Sequence, residues 1–202
     1  YKRFNIPVSQ AYGIIEIGLP IINHTKSKEA PEAVGYPLPD YDVQILDDDD
    51  NPVSDGEVGH LAIKGPGMFD AYLNPPVLKK EVLKNGYFLT ADFASKSPEG
   101  LITVEGRMKS VINVSGNKVF PEEVESLLET FQGIRLARIS GIPHPLMGQI
   151  VQAEIVLEDG ADLDIEEVLT FCRKRLSTFK IPQKAVIVDS LPLTKTGKIK
   201  RS

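Results

Sequence analysis

The sequence is poor in the residues that carry the most easily read chemistries. It has one cysteine, Cys172, in 202 residues, so no internal disulfide is possible and little can be said of redox compartment. It has three histidines. No second histidine or cysteine is placed to complete a metal site or a nucleophilic triad with His144, which reads as a structural loop residue in Ile142-Pro143-His144-Pro145. No apolar run is long enough to span a bilayer and no signal peptide is visible, so no transmembrane segment is expected. A cytoplasmic setting follows, compatible with peripheral membrane association. The net charge of −5 supplies no global attraction to nucleic acid or anionic lipid. The acidic run Asp47 to Asp50 lacks the glycine and distal glutamate of a calcium loop, and is expected to be a solvated hairpin turn. There is no initiating methionine, and the chain stops at Lys200-Arg201-Ser202 just after a basic motif. A piece of a longer protein is therefore expected.

What is present is ordinary for a soluble globular chain: 42% hydrophobic and 25% charged residues. That length buries a sizeable core without staples, as one large domain or two small ones. The first half is rich in turns and short strands. Val43 and Ile45 alternate with polar residues before the acidic turn, and His60-Leu61-Ala62-Ile63-Lys64 follows Gly56-Glu57-Val58-Gly59 as another strand. This predicts an antiparallel β-rich subdomain. After Gly106-Arg107 the pattern changes. Pro121-Glu122-Glu123 starts a helix with Val124, Leu127, Leu128 and Phe131 on one face, ended by Gly133. A strand follows near Leu136 to Gly141, and another through Val151, Ala153, Ile155 and Leu157. Asp164 caps a second helix whose apolar face carries Ile165, Val168, Leu169, Cys172 and Leu176. Lys184 to Val188 is a last strand. The fold class expected is α+β. Residues 1–106 form the β-rich part, 107–110 a hinge, and 111–202 a small α+β domain with a three-stranded sheet and flanking helices.

Four segments hold residues suited to chemistry. The tail from Leu191 to Arg201 is a loop with four cations in its last seven residues. A lysine after glycine, such as Lys198, can reach a phosphate or carboxylate, although by itself the commoner explanation is a solvated basic tail. Gln10-Ala11-Tyr12-Gly13-Ile14-Ile15-Glu16 offers a ring able to stack on a base, a glycine for close backbone approach and a carboxylate able to hold magnesium, although by itself the commoner explanation is a strand end with a buried tyrosine. Gly86-Tyr87-Phe88-Leu89-Thr90-Ala91-Asp92 places a carboxylate where it could accept two ribose hydroxyls, or merely start a turn. Gly106-Arg107-Met108-Lys109-Ser110 is a polar link, followed by an apolar strand, the turn around Ser115-Gly116 and the helix start at Pro121.

Order and spacing together say more than any one segment. Tyr12, Gly13 and Glu16 match Tyr-Gly-x-x-Glu. Gly56, Glu57, Gly59, Leu61 and Gly65 match Gly-Glu-x-Gly-x-Leu-x-x-x-Gly, with Tyr72 and Pro75 beyond. Thr90 and Asp92 match Thr-Gly-Asp, and Gly106, Arg107 and Ile112 match Gly-Arg-x-x-x-x-Ile. Gly116, Val119, Pro121, Glu123, Val124 and Glu125 match Gly-x-x-Val-x-Pro-x-Glu-Val-Glu. Pro192, Thr194, Gly197, Lys198 and Arg201 match Pro-x-Thr-x-x-Gly-Lys-x-x-Arg. Along nearly its whole length the chain thus resembles the C-terminal part of acyl-adenylate-forming enzymes, the AMP-binding superfamily of acyl-CoA synthetases, firefly luciferases and peptide-synthetase adenylation domains.

The resemblance implies that ATP and a carboxylic acid give an acyl-adenylate and pyrophosphate, and that the acyl group then passes to a thiol, usually that of coenzyme A. It implies roles for individual residues. Tyr12 would stack on adenine beside Gly13, Glu16 would bind Mg2+, Asp92 would hold the ribose hydroxyls and Arg107 would contact ribose or phosphate. Lys198 would be catalytic, bridging the α-phosphate and the substrate carboxylate, where a cation offsets the repulsion of two anions. Lys109 would be the hinge about which the C-terminal domain turns between half-reactions, bringing Gly116 to the thiol channel. Ser115-Gly116 with Val119-Phe120-Pro121 resembles the fatty-acid and coumarate-type ligases, so a fatty or aryl acid is expected.

Three departures qualify the resemblance. Ile15 stands where the family usually has threonine, which removes a hydroxyl expected near the phosphates. Ala91 replaces the glycine of Thr-Gly-Asp, a milder change. The family's Ser/Thr/Gly-rich phosphate loop is not among these residues, so the chain alone is expected not to catalyse adenylation. An adenylation domain that loads a carrier protein, and a nucleotide-binding remnant without catalysis, are the alternatives.

Overall fold

The computed structural model describes residues 8–195, 197 and 199–200. Alternating apolar residues separated by glycine and acidic turns produce a chain of short strands in its first half: β1 (Gln10–Ile14), β2 (Gly18–Asn23), β3 (Ala33–Pro37), β4 (Asp42–Leu46), β5 (Val58–Lys64), β6 (Ala71–Leu73), β7 (Pro76–Leu78), a helical turn α1 (Lys79–Val82), β8 (Phe88–Lys96) and β9 (Ile102–Arg107). The chain then divides into two units, Tyr1–Met108 and Lys109–Ser202.

In the first unit seven strands form one sheet in the order β1-β2-β3-β9-β8-β5-β4, every adjacent pair antiparallel. β6 and β7 make a separate ribbon. The alternation expected around Val43 and Leu61 is realised. Val43, Ile45, Leu61 and Ile63 are buried with Ile17, Ile21, Ala94 and Ile102, while Asp42 and Lys64 face solvent. Met68 packs against this core, and Phe69 lies against Tyr72 and Phe88. The acidic run is the turn it was expected to be. The Asp47 carboxylate accepts the amides of Asp49 and Asn51 at 2.9 and 2.8 Å, an Asx turn. Asp48 contacts His60 at 2.9 Å and Asp50 accepts from Lys84 at 3.0 Å.

The second unit contains β10 (Ile112–Val114), β11 (Asn117–Val119), α2 (Pro121–Leu128), β12 (Ile134–His144), β13 (Gly148–Leu157), α3 (Ile165–Arg173) and β14 (Lys184–Ile187). The helix, strand, strand, helix, strand order is the one expected. The sheet is larger than the three strands foreseen. The hairpin β10–β11 joins β13, giving five strands in the order β11-β10-β13-β12, with β14 parallel to β13. The apolar strand expected before the Ser115-Gly116 turn is β10; its three-residue partner β11 is too short to show periodicity, and the joining of the hairpin to β13 is a long-range pairing that no local pattern carries. The core gathers Ile112, Val114, Val119, Val124, Leu128, Val151, Ile155, Val168 and Cys172, with Phe131, Leu157 and Leu176 packed against it. Proline opens α2 and the Asp164 carboxylate caps α3 by accepting the Glu166 amide at 3.0 Å. His144 is structural: its Nδ1 accepts the amides of Leu146 and Met147, each at 3.3 Å.

Among the described residues β12 forms one edge of the sheet, and α2 packs along it. The buried Glu125 carboxylate accepts the Ile139 amide at 2.8 Å, and Glu129 accepts that of Ala137 at 3.4 Å. Side chains thus take amides that would otherwise template pairing with another chain. Among the described residues no helix is long and apolar enough to cross a membrane.

Candidate active site

Three of the predicted residues meet in the first unit. The Tyr12 hydroxyl donates to Asp92 Oδ2 at 2.6 Å, and Arg107 Nε lies 3.6 Å from Asp92 Oδ1. Tyr12 comes from β1, Asp92 from β8 and Arg107 from the end of β9, where Asp92 and Arg107 face each other across the ladder. Burial, and next the bond to the Asp92 carboxylate, push the Tyr12 hydroxyl well above the ordinary phenol range, with Thr90 and Arg107 opposing. Asp92 is buried, but the Arg107 side chain is 81% exposed. A carboxylate offers about four acceptor positions, so these two contacts leave Asp92 capacity for a polyol.

A bulge aims Asp92. Between the pairs His60–Phe93 and Ala62–Leu89, two steps along β5 correspond to four along β8, so β8 carries two extra residues. The Thr90 hydroxyl bridges the gap, donating to the Leu61 carbonyl at 3.1 Å and accepting the Asp92 amide at 3.2 Å. Ala91 adopts φ 61°. That is the left-handed region, where a Cβ costs about 1 kcal/mol and glycine costs little. The backbone itself explains why glycine suits this position. Bulges of this kind re-aim side chains beside active sites.

The turn after β1 carries the next group. Gly13 has a structural cause: a Cβ there would lie 2.7 Å from the Gly18 carbonyl oxygen across the β1–β2 hairpin. The close approach expected of this glycine is to its own sheet. Ile15, in the turn, is 98% exposed. Beside it Glu16 Oε1 accepts from the Tyr72 hydroxyl at 2.9 Å, and the Glu16 carbonyl accepts the Phe69 amide at 2.9 Å. Tyr72 as the partner of Glu16, and Thr90 as the support of Asp92, were both within matched or flanking motif positions, yet nothing in their spacing assigned these contacts. Magnesium commonly takes one or two carboxylates, with phosphate and water completing its shell. Glu16, accessible on a turn, fits one such carboxylate.

In the second unit Lys109 lies in a short 3-10 turn, Met108–Ser110, at the division between the units. Gly116 occupies the tip of the β10–β11 hairpin. In the tail Leu193 pairs with Ile199, and Lys200 donates to the Pro192 carbonyl at 2.8 Å. Lys198 lies outside the described residues.

A family model for the AMP-binding enzyme matches residues 1–73, and one for the AMP-binding enzyme C-terminal domain matches residues 123–198. The chain is 39% identical over 99% of its length to the oxalate–CoA ligase of Saccharomyces cerevisiae, of which it covers 37%. It is 33% identical over 95% of its length to the long-chain-fatty-acid–CoA ligase of Escherichia coli O157:H7, covering 34% of that protein. The crystal structure of ATP-bound MatB from Rhodopseudomonas palustris superposes with a TM-score of 0.85 at 30% identity, over 95% of this chain and 39% of that one. The chain belongs to the AMP-binding enzyme family. It spans little more than a third of the length of these relatives.

Proposed function

We propose that the chain is part of an ATP-dependent acid–thiol ligase. A carboxylic acid and ATP would give acyl-AMP and pyrophosphate, and coenzyme A would then take the acyl group. The observation that carries this reading is the Tyr12–Asp92–Arg107 cluster, aimed by the β8 bulge. Asp92 would accept the ribose hydroxyls, with its orientation held by Tyr12. The Tyr12 ring would stack on adenine, and the exposed Arg107 guanidinium would contact ribose or phosphate. Glu16 would hold Mg2+, whose charge would neutralise the phosphates. Lys198 would bridge the α-phosphate and the substrate carboxylate, where positive charge lowers the barrier between two anions. Lys109 would serve as the hinge and Gly116 would face the thiol. ATP and coenzyme A as co-substrates suit a cytoplasmic setting.

The fatty or aryl nature of the acid rests on the Ser115 to Pro121 resemblance. The relatives' own names widen the class, since one is an oxalate ligase and another a long-chain fatty-acid ligase. The test is an acid panel containing a small dicarboxylate, an aryl acid and a long-chain fatty acid. Thioester formation by the full-length protein is measured with ATP, Mg2+ and coenzyme A. Turnover with one class supports the reading. ATP binding without turnover of any acid would favour the non-catalytic remnant, and transfer only to a carrier protein would favour the carrier-loading enzyme. Residues 1–202 alone are expected to release no pyrophosphate, because no Ser/Thr/Gly-rich phosphate loop is among them. Release of pyrophosphate by this chain alone would refute that expectation.

A further inference from the structure

The β10–β11 hairpin turns through two residues, with Val114 opposite Asn117 and positive φ at both Ser115 (49°) and Gly116 (85°). Glycine is at ease there, but serine is not, so the turn must be held. Four hydrogen bonds hold it. The Ser115 amide donates to the Met147 carbonyl at 2.9 Å and the Gly116 amide donates to Asn113 Oδ1 at 2.9 Å. Asn117 Nδ2 donates to the Val114 carbonyl at 3.2 Å. The Asn113 amide in turn donates to Gln149 Oε1 at 2.8 Å.

That last bond has a particular place in the sheet. β10 and β13 share one backbone pair, Val114 with Gly148. Gln149 is the next residue along β13, and its side chain takes the Asn113 amide where no further backbone pair is recorded among the described residues. Room for it comes from β12. A Cβ on Gly141 would lie 2.8 Å from Gln149 Nε2 and 2.9 Å from Ile112 Cγ2. Gly141 does not have the positive φ that would favour glycine, so its missing side chain is explained by the Gln149 amide and the buried Ile112 methyl lying over it. A Cβ on Gly116, by contrast, would meet nothing within 4 Å. The tip is therefore fixed from behind and open in front.

We infer that Gln149, acting through Asn113, is a positioning residue for the Ser115–Gly116 tip in the thiol-transfer half-reaction. The inference rests on the proposed function, and specifically on Gly116 facing the thiol. Gln149 touches no reacting atom; it fixes the strand whose side chain fixes the Gly116 amide.

Both half-reactions of the full-length protein are measured. Pyrophosphate exchange reports adenylation, and thioester formation from preformed acyl-adenylate reports thiol transfer. Gln149→Ala is expected to raise KM for coenzyme A about tenfold, the effect of losing one positioning hydrogen bond, with pyrophosphate exchange within about twofold of the parent. Gln149→Glu keeps the acceptor oxygen and should restore most of the loss. Gly141→Ala displaces the amide by another route and should move KM in the same direction, with thermal melting as the folding control. Gly116→Leu tests the underlying reading. If Gly116→Leu blocks thiol transfer but Gln149→Ala leaves it unchanged, the inference is overturned and the thiol reading stands. If Gly116→Leu has no effect, the thiol reading fails and the inference falls with it. Equal loss of both half-reactions in Gln149→Ala would show a general structural role and overturn the inference.

Discussion

Two residues carry contrasting consequences of one bulge. Ala91 holds φ 61° with a Cβ that the left-handed region disfavours. Ala91→Gly should stabilise the protein by up to about 1 kcal/mol, partly offset by the greater freedom of glycine in the unfolded chain. Ala91→Val should destabilise it, because a branched Cβ is worse in that region. The urea midpoint at constant m-value reads both. Tyr12 lies on the same cluster, with its hydroxyl bound to Asp92 and its pKa raised by burial and by that carboxylate. A raised pKa means the folded state holds the proton more tightly. The corresponding stability is complete below the unfolded tyrosine value of about 10 and is lost as pH rises beyond it. Tyr12→Phe should cost about 1–2 kcal/mol at neutral pH. It should also lose less melting temperature than the parent between pH 9 and 11, read by circular dichroism. A parallel decline in both proteins would show that Tyr12 does not titrate as inferred. The motif pattern named Tyr12, Asp92 and Arg107, but not the Tyr12–Asp92 bond, because residues 80 positions apart are joined only by sheet topology.

The helices of the second unit were the most legible elements, since their apolar faces repeat over two turns or more, proline opens α2 and Asp164 caps α3. Asp164→Ala removes the acceptor of the Glu166 amide and should cost about 1 kcal/mol. Glu125 departs from the pattern: a charged residue on α2 that is buried because it takes the Ile139 amide at the edge of β12. Glu125→Ala strands a buried donor and should cost about 1–3 kcal/mol, more than the loss of an exposed cap. Denaturant unfolding of the two variants side by side ranks them. Strands were legible where apolar and polar residues alternated, as in β4, β5 and β13. β10 was legible only as a short apolar run, and β11 was illegible, because three residues give no period and pairing decides the conformation.

Each unit has its own core, and among the described residues every strand pair of the two sheets lies within one unit. Residues 109–202 made alone should therefore melt cooperatively, and Cys172, fully buried with its thiol pKa raised by burial, should resist alkylation until they do. Rapid labelling of the native fragment would show that its core does not form alone. Lys198→Ala in the full-length protein should abolish adenylation while thioester formation from preformed acyl-adenylate survives. Equal loss of both would contradict a lysine withdrawn by a hinge at Lys109.

The sequence by itself determined the family, the α+β class, the helices with their caps, and the identities of the residues put forward for nucleotide and thiol. These depend on local spacing, which one strand or helix can carry. Tertiary structure alone decided what those residues touch. The β8 bulge that aims Asp92, the tyrosine that holds Glu16, the room Gly141 leaves for Gln149 and the glutamate edge of β12 all depend on which strands lie side by side. Register between distant segments follows from packing the whole sheet, and no window of sequence contains it.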